Sequence, residues 1–163
     1  ETDRLLLRMF VAEDWRALHE HYSDVECTRF TFRRALTEAG SWRAMASMAG
    51  HWLLRGYGPY AVEEKSTKAV LGTVGLWYPL EWPEPEIKWA LARRHQGKGY
   101  ASEAVRAVQH MVRQCMPELS LISLIDRDNA ASIRLARAVG ATFEREMEFS
   151  GGVFHIYRHP AEG

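Results

Sequence analysis

The stretch from Glu86 to Pro117 constrains this chain more than any other. Glu86 to Leu91 alternates polar and apolar residues, the pattern of a half-buried strand. Arg93-Arg94-His95-Gln96-Gly97-Lys98-Gly99-Tyr100 follows as a glycine-bearing loop. Ala101, Ala104, Val105, Val108, Val112 and Cys115 then recur at helical spacing, and Pro117 closes the helix. Gly97 and Gly99 lack Cβ atoms, so backbone N–H groups there can approach a ligand closely. The amides that open a helix have no partner inside it, and with the helix dipole they suit a phosphate. The same two glycines also serve a plain tight turn, so the loop's meaning depends on its context.

That context is read from the remaining elements. Arg4 to Arg8 forms a short strand and Ala12 to Tyr22 a helix. A second helix runs from about Thr37 to Arg55, with Trp42, Met45, Ala49, Trp52 and Leu53 as its apolar face and Gly56 as its stop. Tyr60–Glu63 and Val70–Leu76 pair as a hairpin around a polar turn. Pro79 to Pro85 is a proline-rich loop that cannot be a central strand. After the Gly97–Cys115 unit, Leu119 to Ile125 is a strand. Asp128 or Asn129 caps a helix with Ser132, Leu135, Ala136 and Val139 on one side and Gly140 at its end. Two last strands, about Thr142–Phe149 and Val153–Arg158, meet at Ser150-Gly151-Gly152. Hairpins mixed with crossovers predict an α/β domain on a mixed sheet, and the helix between strands 4 and 5 allows that pair to be parallel.

Composition narrows the function classes. The 163 residues make one domain, 1–163, and 21 Lys and Arg balance 21 Asp and Glu. A phosphate-neutralising nucleic-acid binder carries a basic excess that this chain lacks. No apolar run reaches the roughly 20 residues of a membrane span. Cys27 and Cys115 fit no metal spacing and no disulfide framework, and the scattered histidines His51, His95, His110, His155 and His159 show no ligand spacing, most of them reading as surface or capping groups. The expectation is a cytoplasmic protein without a metal, a membrane or a nucleic-acid partner, monomeric or homodimeric.

Two phosphate motifs fit poorly. Lys98 is not followed by the Ser or Thr of a Walker A loop. The dinucleotide fingerprint wants Gly or Ala where Ser102 stands, and it follows a first strand rather than a late one. Arg94-His95-Gln96-Gly97-Lys98-Gly99, followed by Tyr100-Ala101-Ser102-Glu103-Ala104, instead resembles the Arg/Gln-x-x-Gly-x-Gly/Ala motif of the GNAT N-acetyltransferase superfamily. Asn129, Ser132 and Gly140-Ala141 stand at that family's spacing, and the element order matches over essentially the whole chain. Thr2 to Arg8 and Asp128-Asn129-x-x-Ser132 look most like its RimJ/RimL branch, which acetylates ribosomal-protein N-termini. The fold so implied is α/β of the α+β type: a mixed, mostly antiparallel sheet of about seven strands flanked by four helices, with strands 4 and 5 a splayed parallel pair.

The resemblance implies an enzyme that uses acetyl-CoA to acetylate a primary amine, either a protein N-terminus or a small molecule. The cofactor would lie against Ala90 and Leu91 of the fourth strand and Ala92 just after it, then Arg94, Gln96, Gly97, Lys98, Gly99, Tyr100 and Ala101 of the loop, with Asn129 and Ser132 beyond. Amine acetylation needs a proton acceptor, donors for the carbonyl oxygen and a route out for the thiolate. Glu86 is the expected base and Glu148 the second candidate, while Ser132 could bond the sulfur. Ala136 stands where many members carry a Tyr acid, and Lys88 where the branch often has Gly. The first departure keeps a non-catalytic acyl-CoA sensor as the competing reading. Tyr157 is a substitute acid candidate, with His155 beside it facing the same cleft. Trp15, Trp42 and Trp52 read as core, whereas Trp77, Trp82 and Trp89, flanking the proline-rich loop, read either as an aromatic rim for the acceptor or as packing that holds the loop down.

Overall fold

The computed structural model describes residues 1–161; positions 162 and 163, included in the single-domain expectation, lie outside the described residues. In chain order the elements are β1 (Leu5–Arg8), α1 (Trp15–Tyr22), α2 (Val25–Thr28), α3 (Glu38–Arg55), β2 (Pro59–Glu64), β3 (Val70–Trp77), β4 (Glu86–Leu91), α4 (Tyr100–Cys115), β5 (Ile122–Asp126), α5 (Ala130–Ala138), β6 (Thr142–Phe149) and β7 (Gly152–Arg158). The strands form one sheet in the order β1-β2-β3-β4-β5-β7-β6. Every neighbouring pair is antiparallel except β4 and β5. This is the expected mixed sheet, with five α-helices rather than four. The extra one, α2, is a single turn capped by Asp24, whose carboxylate accepts from the Glu26 N–H at 2.9 Å. Four residues are too few to show a period in sequence.

Strand alternation divides the helices between the two faces. Ile87 and Leu91 of β4 bury with Ala104, Val105, Val108 and Val112 of α4. Lys88, on the other face, reaches Met48 of α3, where Met45 and Met48 pack on Leu18 and Tyr22 of α1. The buried stripe of α3 is Ser41, Met45, Met48 and His51, which shares Met45 alone with the Trp42–Leu53 stripe that hydropathy selects. Trp42 is half exposed and Leu53 stands 89% exposed. The polar pair is tolerated inside because each member is bonded: Ser41 Oγ lies 2.8 Å from His19 Nδ1. His51 meets the Tyr57 carbonyl at 2.7 Å and accepts from the Tyr78 N–H at 2.9 Å.

The central event is the parting of β4 from β5. The two strands pair only at Glu86 and Ile122, with the Ile122 N–H donating to the Pro85 carbonyl at 3.1 Å. A buried relay pins them where they begin to diverge. Gln109 Nε2 donates to the Val139 carbonyl and to His159 Nδ1, at 3.1 and 2.8 Å. His159 Nε2–H then donates to Ser123 Oγ at 2.9 Å, and Ser123 O–H donates across the gap to the Ile87 carbonyl at 2.7 Å. His159 is thus an interior group, not the surface or capping histidine expected from sequence.

This chain of donors requires a neutral imidazole. Burial, helped by neighbouring Arg158, pushes His159 down to about 4 from an ordinary 6.5. A histidine with a depressed folded pKa supports the fold above its unfolded pKa and loses that support as pH falls. Stability in urea melts is therefore expected to drop between about pH 6.5 and pH 4, by on the order of 3 kcal/mol if the whole shift is realised. His159→Gln should flatten that slope; an unchanged slope would contradict the assignment.

Candidate active site

Past the Ser123 bond, β4 faces a cleft of about 950 Å³. Ile87 turns its carbonyl toward β5, and Leu91 turns its carbonyl to Gln96 Nε2 at 2.9 Å. Backbone alternation therefore points the N–H and C=O of Trp89, midway between them, into the same gap. At the cleft's other end the chain turns through Gly97 and Gly99, with φ of +74° and +82°. Both angles lie in the left-handed region that disfavours side chains. The turn leaves the amides of residues 97–102 without a backbone partner among the described residues and aims them along the start of α4. A Cβ placed on Gly97 would meet nothing within 4 Å, so the space over this cradle is open.

The flanks of the loop are tied down by ion pairs, so some expected ligands are committed elsewhere. Arg94 pairs with Glu20 at 2.8 Å, and Arg93 with Asp24 at 2.7 Å. Arg4 bonds Glu103, donates to the Lys98 carbonyl and covers the Tyr100 ring, while the Tyr100 hydroxyl bonds Glu64. Of the expected cofactor-binding residues, Ala90, Leu91, Gln96, Gly97, Gly99, Tyr100, Ala101, Asn129 and Ser132 line the cleft. Ala92 is buried with its amide on the Leu71 carbonyl, and the side chains of Arg94 and Lys98 lie outside the lining. Asn129 caps α5, accepting from the Ser132 N–H at 3.1 Å. Ser132 Oγ accepts from Trp89 Nε1–H at 3.2 Å, which leaves its own O–H free to donate.

Glu86 lies buried at the point where the strands part. Its Oε1 accepts from Trp82 Nε1–H at 2.9 Å and its Oε2 from the Leu124 N–H at 3.1 Å. Burial raises its pKa above the ordinary carboxylate range, against the opposing pull of those two donors and of Lys88. Burial lowers Lys88, with Glu86 opposing. Glu148 is not brought into this group. It is exposed near the tip of the β6–β7 hairpin, and its neighbour Phe149 takes the cleft side, 4.9 Å from Trp82. Tyr157 is packed beneath α5 with Ile125, Ala136 and Ala141, and neither it nor His155 lines the cleft. The tyrosine absent at Ala136 is therefore not replaced from β7.

Trp77, Trp82 and Trp89 do line the cleft, joined by Tyr22, Phe30 and Phe32 from the α1–α3 segment and Phe149 and Phe154 from the hairpin. Sequence reasoning missed the contributions of Tyr22 and of residues 23–33, the latter lying outside every predicted element and gaining a role only by folding over β4. The proline-rich loop is anchored by Arg158, whose guanidinium clamps Glu84 and Glu144 and reaches Ser120.

A strand split beside a helix-opening amide cradle defines a class, and comparison with known proteins agrees. The acetyltransferase (GNAT) domain model matches residues 4–142. The uncharacterized N-acetyltransferase p20 of Bacillus licheniformis is 31% identical over 150 residues, 89% of this chain and 82% of its own length. The crystal structure of an acetyltransferase from Agrobacterium tumefaciens superposes with a TM-score of 0.86 at 23% identity, covering 98% of this chain and 92% of that one. RimL, the ribosomal L7/L12 α-N-protein acetyltransferase solved with coenzyme A, gives 0.77 at 18% identity over 97% and 94% of the two chains. The last two likenesses concern the fold alone. The chain belongs to the GNAT acetyltransferase family, an N-acetyltransferase by class.

The cradle can be probed through stability alone. Gly99→Ala is expected to cost about 1 kcal/mol through its positive φ and lower Tm by about 3 °C. Gly50→Ala, inside α3 where a Cβ would meet nothing within 4 Å, should instead stabilise by about 0.5–1 kcal/mol. Equal effects in calorimetric melts would refute the strained-turn reading.

Proposed function

We propose that this protein transfers an acetyl group from acetyl-CoA directly to a primary amine. The observation that carries the reading is the continuity of one cleft from the free amides at 97–102, past the open edge of β4, to the buried carboxylate of Glu86. The residues present fit the donor. The amides of Gly97 to Ser102 and the α4 dipole suit a diphosphate. The unpaired edge of Trp89 suits the amide-bearing pantetheine arm, with Asn129 and Ser132 flanking it. Acetyl-CoA supplies an activated acetyl thioester when bound. RimL, with CoA in its crystal, shares the fold, and likeness to the RimJ/RimL branch rests on Thr2–Arg8 and the Asp128-Asn129-x-x-Ser132 pattern.

Each chemical need then has a group in this chain. Glu86 accepts the amine proton; its raised pKa brings its basicity nearer to neutrality than an exposed carboxylate. The Trp89 N–H faces the gap and donates to the carbonyl oxygen as it gains charge. Ser132 O–H, oriented by the Trp89 indole, donates to the departing sulfur. Cys115 lies outside the cleft; Cys27 lines its α2 side, but burial and neighbouring Asp24 raise its thiol above the ordinary range and so disfavour a thiolate, and transfer is direct rather than through an acyl-enzyme.

Titration calorimetry with acetyl-CoA is expected to show one site at sub-millimolar ligand; the absence of binding heat would refute the reading. Glu86→Gln should lower kcat about 100-fold while leaving acetyl-CoA affinity within about twofold. The wild-type rate should rise with pH through an apparent pKa above that of an ordinary glutamate. Full activity of Glu86→Gln near neutral pH would remove Glu86 as the base.

A further inference from the structure

The Glu86 end of the cleft also holds a cation that no carboxylate touches. Lys88 Nζ lies 3.7 Å from Met48 Sδ and 4.9 Å from the centre of the Trp77 ring. No carboxylate among the described residues comes within the 4.0 Å of an ion pair. Most acids that line or flank the cleft have other partners, and Asp126 accepts only the Asp128 N–H. Glu86 lies beyond ion-pair distance, held by one bond at each oxygen from Trp82 and Leu124, each oxygen keeping a further lone pair. Glu26 pairs with Arg29, Asp24 with Arg93, and Glu84 with Arg158. Arg33 adds a second cation at the lip of the cleft, its guanidinium beside Gly152 and in no ion pair. A half-buried ammonium loses hydration, and an anion brought to it recovers part of that loss in a charge-assisted hydrogen bond. This end of the cleft therefore repels a polycation and attracts a carboxylate.

Spacing sets the shape of such a molecule. Glu86 and Lys88 share one face of β4 and stand about 7 Å apart along the strand. One small molecule can present its amine to Glu86 and its carboxylate to Lys88, with its body against Trp77, Trp82, Phe149 and Phe154. We propose that Lys88 is the specificity-determining residue of the acceptor site, and that the acceptor is an amino-acid-like amine bearing a carboxylate and an apolar or aromatic body. The inference rests on the acetyl-transfer reading above and names the acceptor class of the same site.

Binding is tested first, on the CoA-loaded full-length protein, with 3-phenylpropanoate and its neutral amide as probes. Wild type should bind the carboxylate at least tenfold more tightly than the amide. Lys88→Met should abolish that preference and Lys88→Arg retain it. Equal affinity in wild type, binding of neither probe, or a preference that survives in Lys88→Met would overturn the proposal. Turnover gives a second readout independent of any variant. The kcat/KM for free phenylalanine should exceed that for phenethylamine, its carboxylate-free counterpart, at least tenfold, and parity or reversal would overturn the proposal. CoA titrations of the same samples separate the two levels. Intact CoA binding without carboxylate preference defeats the acceptor assignment alone, whereas lost CoA binding in wild type defeats the acetyl-transfer reading itself.

Discussion

The structure depends on an interruption in its own sheet. A central parallel pair ordinarily satisfies backbone groups along its whole length, and a break there exposes polar groups at a cost. Here β4 and β5 share one register position. The break is stopped from spreading by Ser123, whose hydroxyl reaches the Ile87 carbonyl, and by Glu86, whose carboxylate reaches the Leu124 amide. Both bridges are side-chain substitutes for ladder hydrogen bonds. The neutral His159 and Gln109 hold Ser123 in place from beneath. Beyond them the strands part, and the cleft exists because they do.

The same carboxylate that closes the split also faces the cleft. Glu86 is a spacer between strands and a candidate base at once, and the two roles share one cause. Burial at the fork raises its pKa, and the two N–H donors that tie it to Trp82 and Leu124 keep it oriented. On the α1–α3 face Lys88 follows it, its ammonium over the Trp77 ring and in no ion pair. At the other end the α4 amides offer positive potential without a side chain, while Arg93 and Arg94 spend their charge bracing the loop to residues 20–24. Main chain thus dominates the α4 end of the cleft and side chains the Glu86 end.

That division explains what the sequence made legible. The loop at Gly97 and Gly99, the α4 stripe and the parallel β4–β5 pair were readable because backbone geometry writes itself in glycines and periodicities. The placement of Glu86 on the cleft-bearing strand was readable for the same reason. The α3 stripe was misread because Ser41 and His51 are buried by hydrogen bonds that hydropathy does not register. His159 was misjudged likewise. Glu148 and Tyr157 looked like site residues because alternation alone does not say which face of the last hairpin meets the cleft; Phe149 and Phe154 do. Residues 23–33 carried no signal, since their contribution is tertiary.

The most direct test of the account is a backbone amide NMR titration with coenzyme A. The account predicts the largest shifts and the greatest gain in exchange protection at Gly97 to Ser102 and at Trp89, with β1, β2 and the outer face of α3 unmoved. Perturbations centred away from the β4–β5 fork, with the loop and Trp89 amides unchanged at saturation, would contradict it.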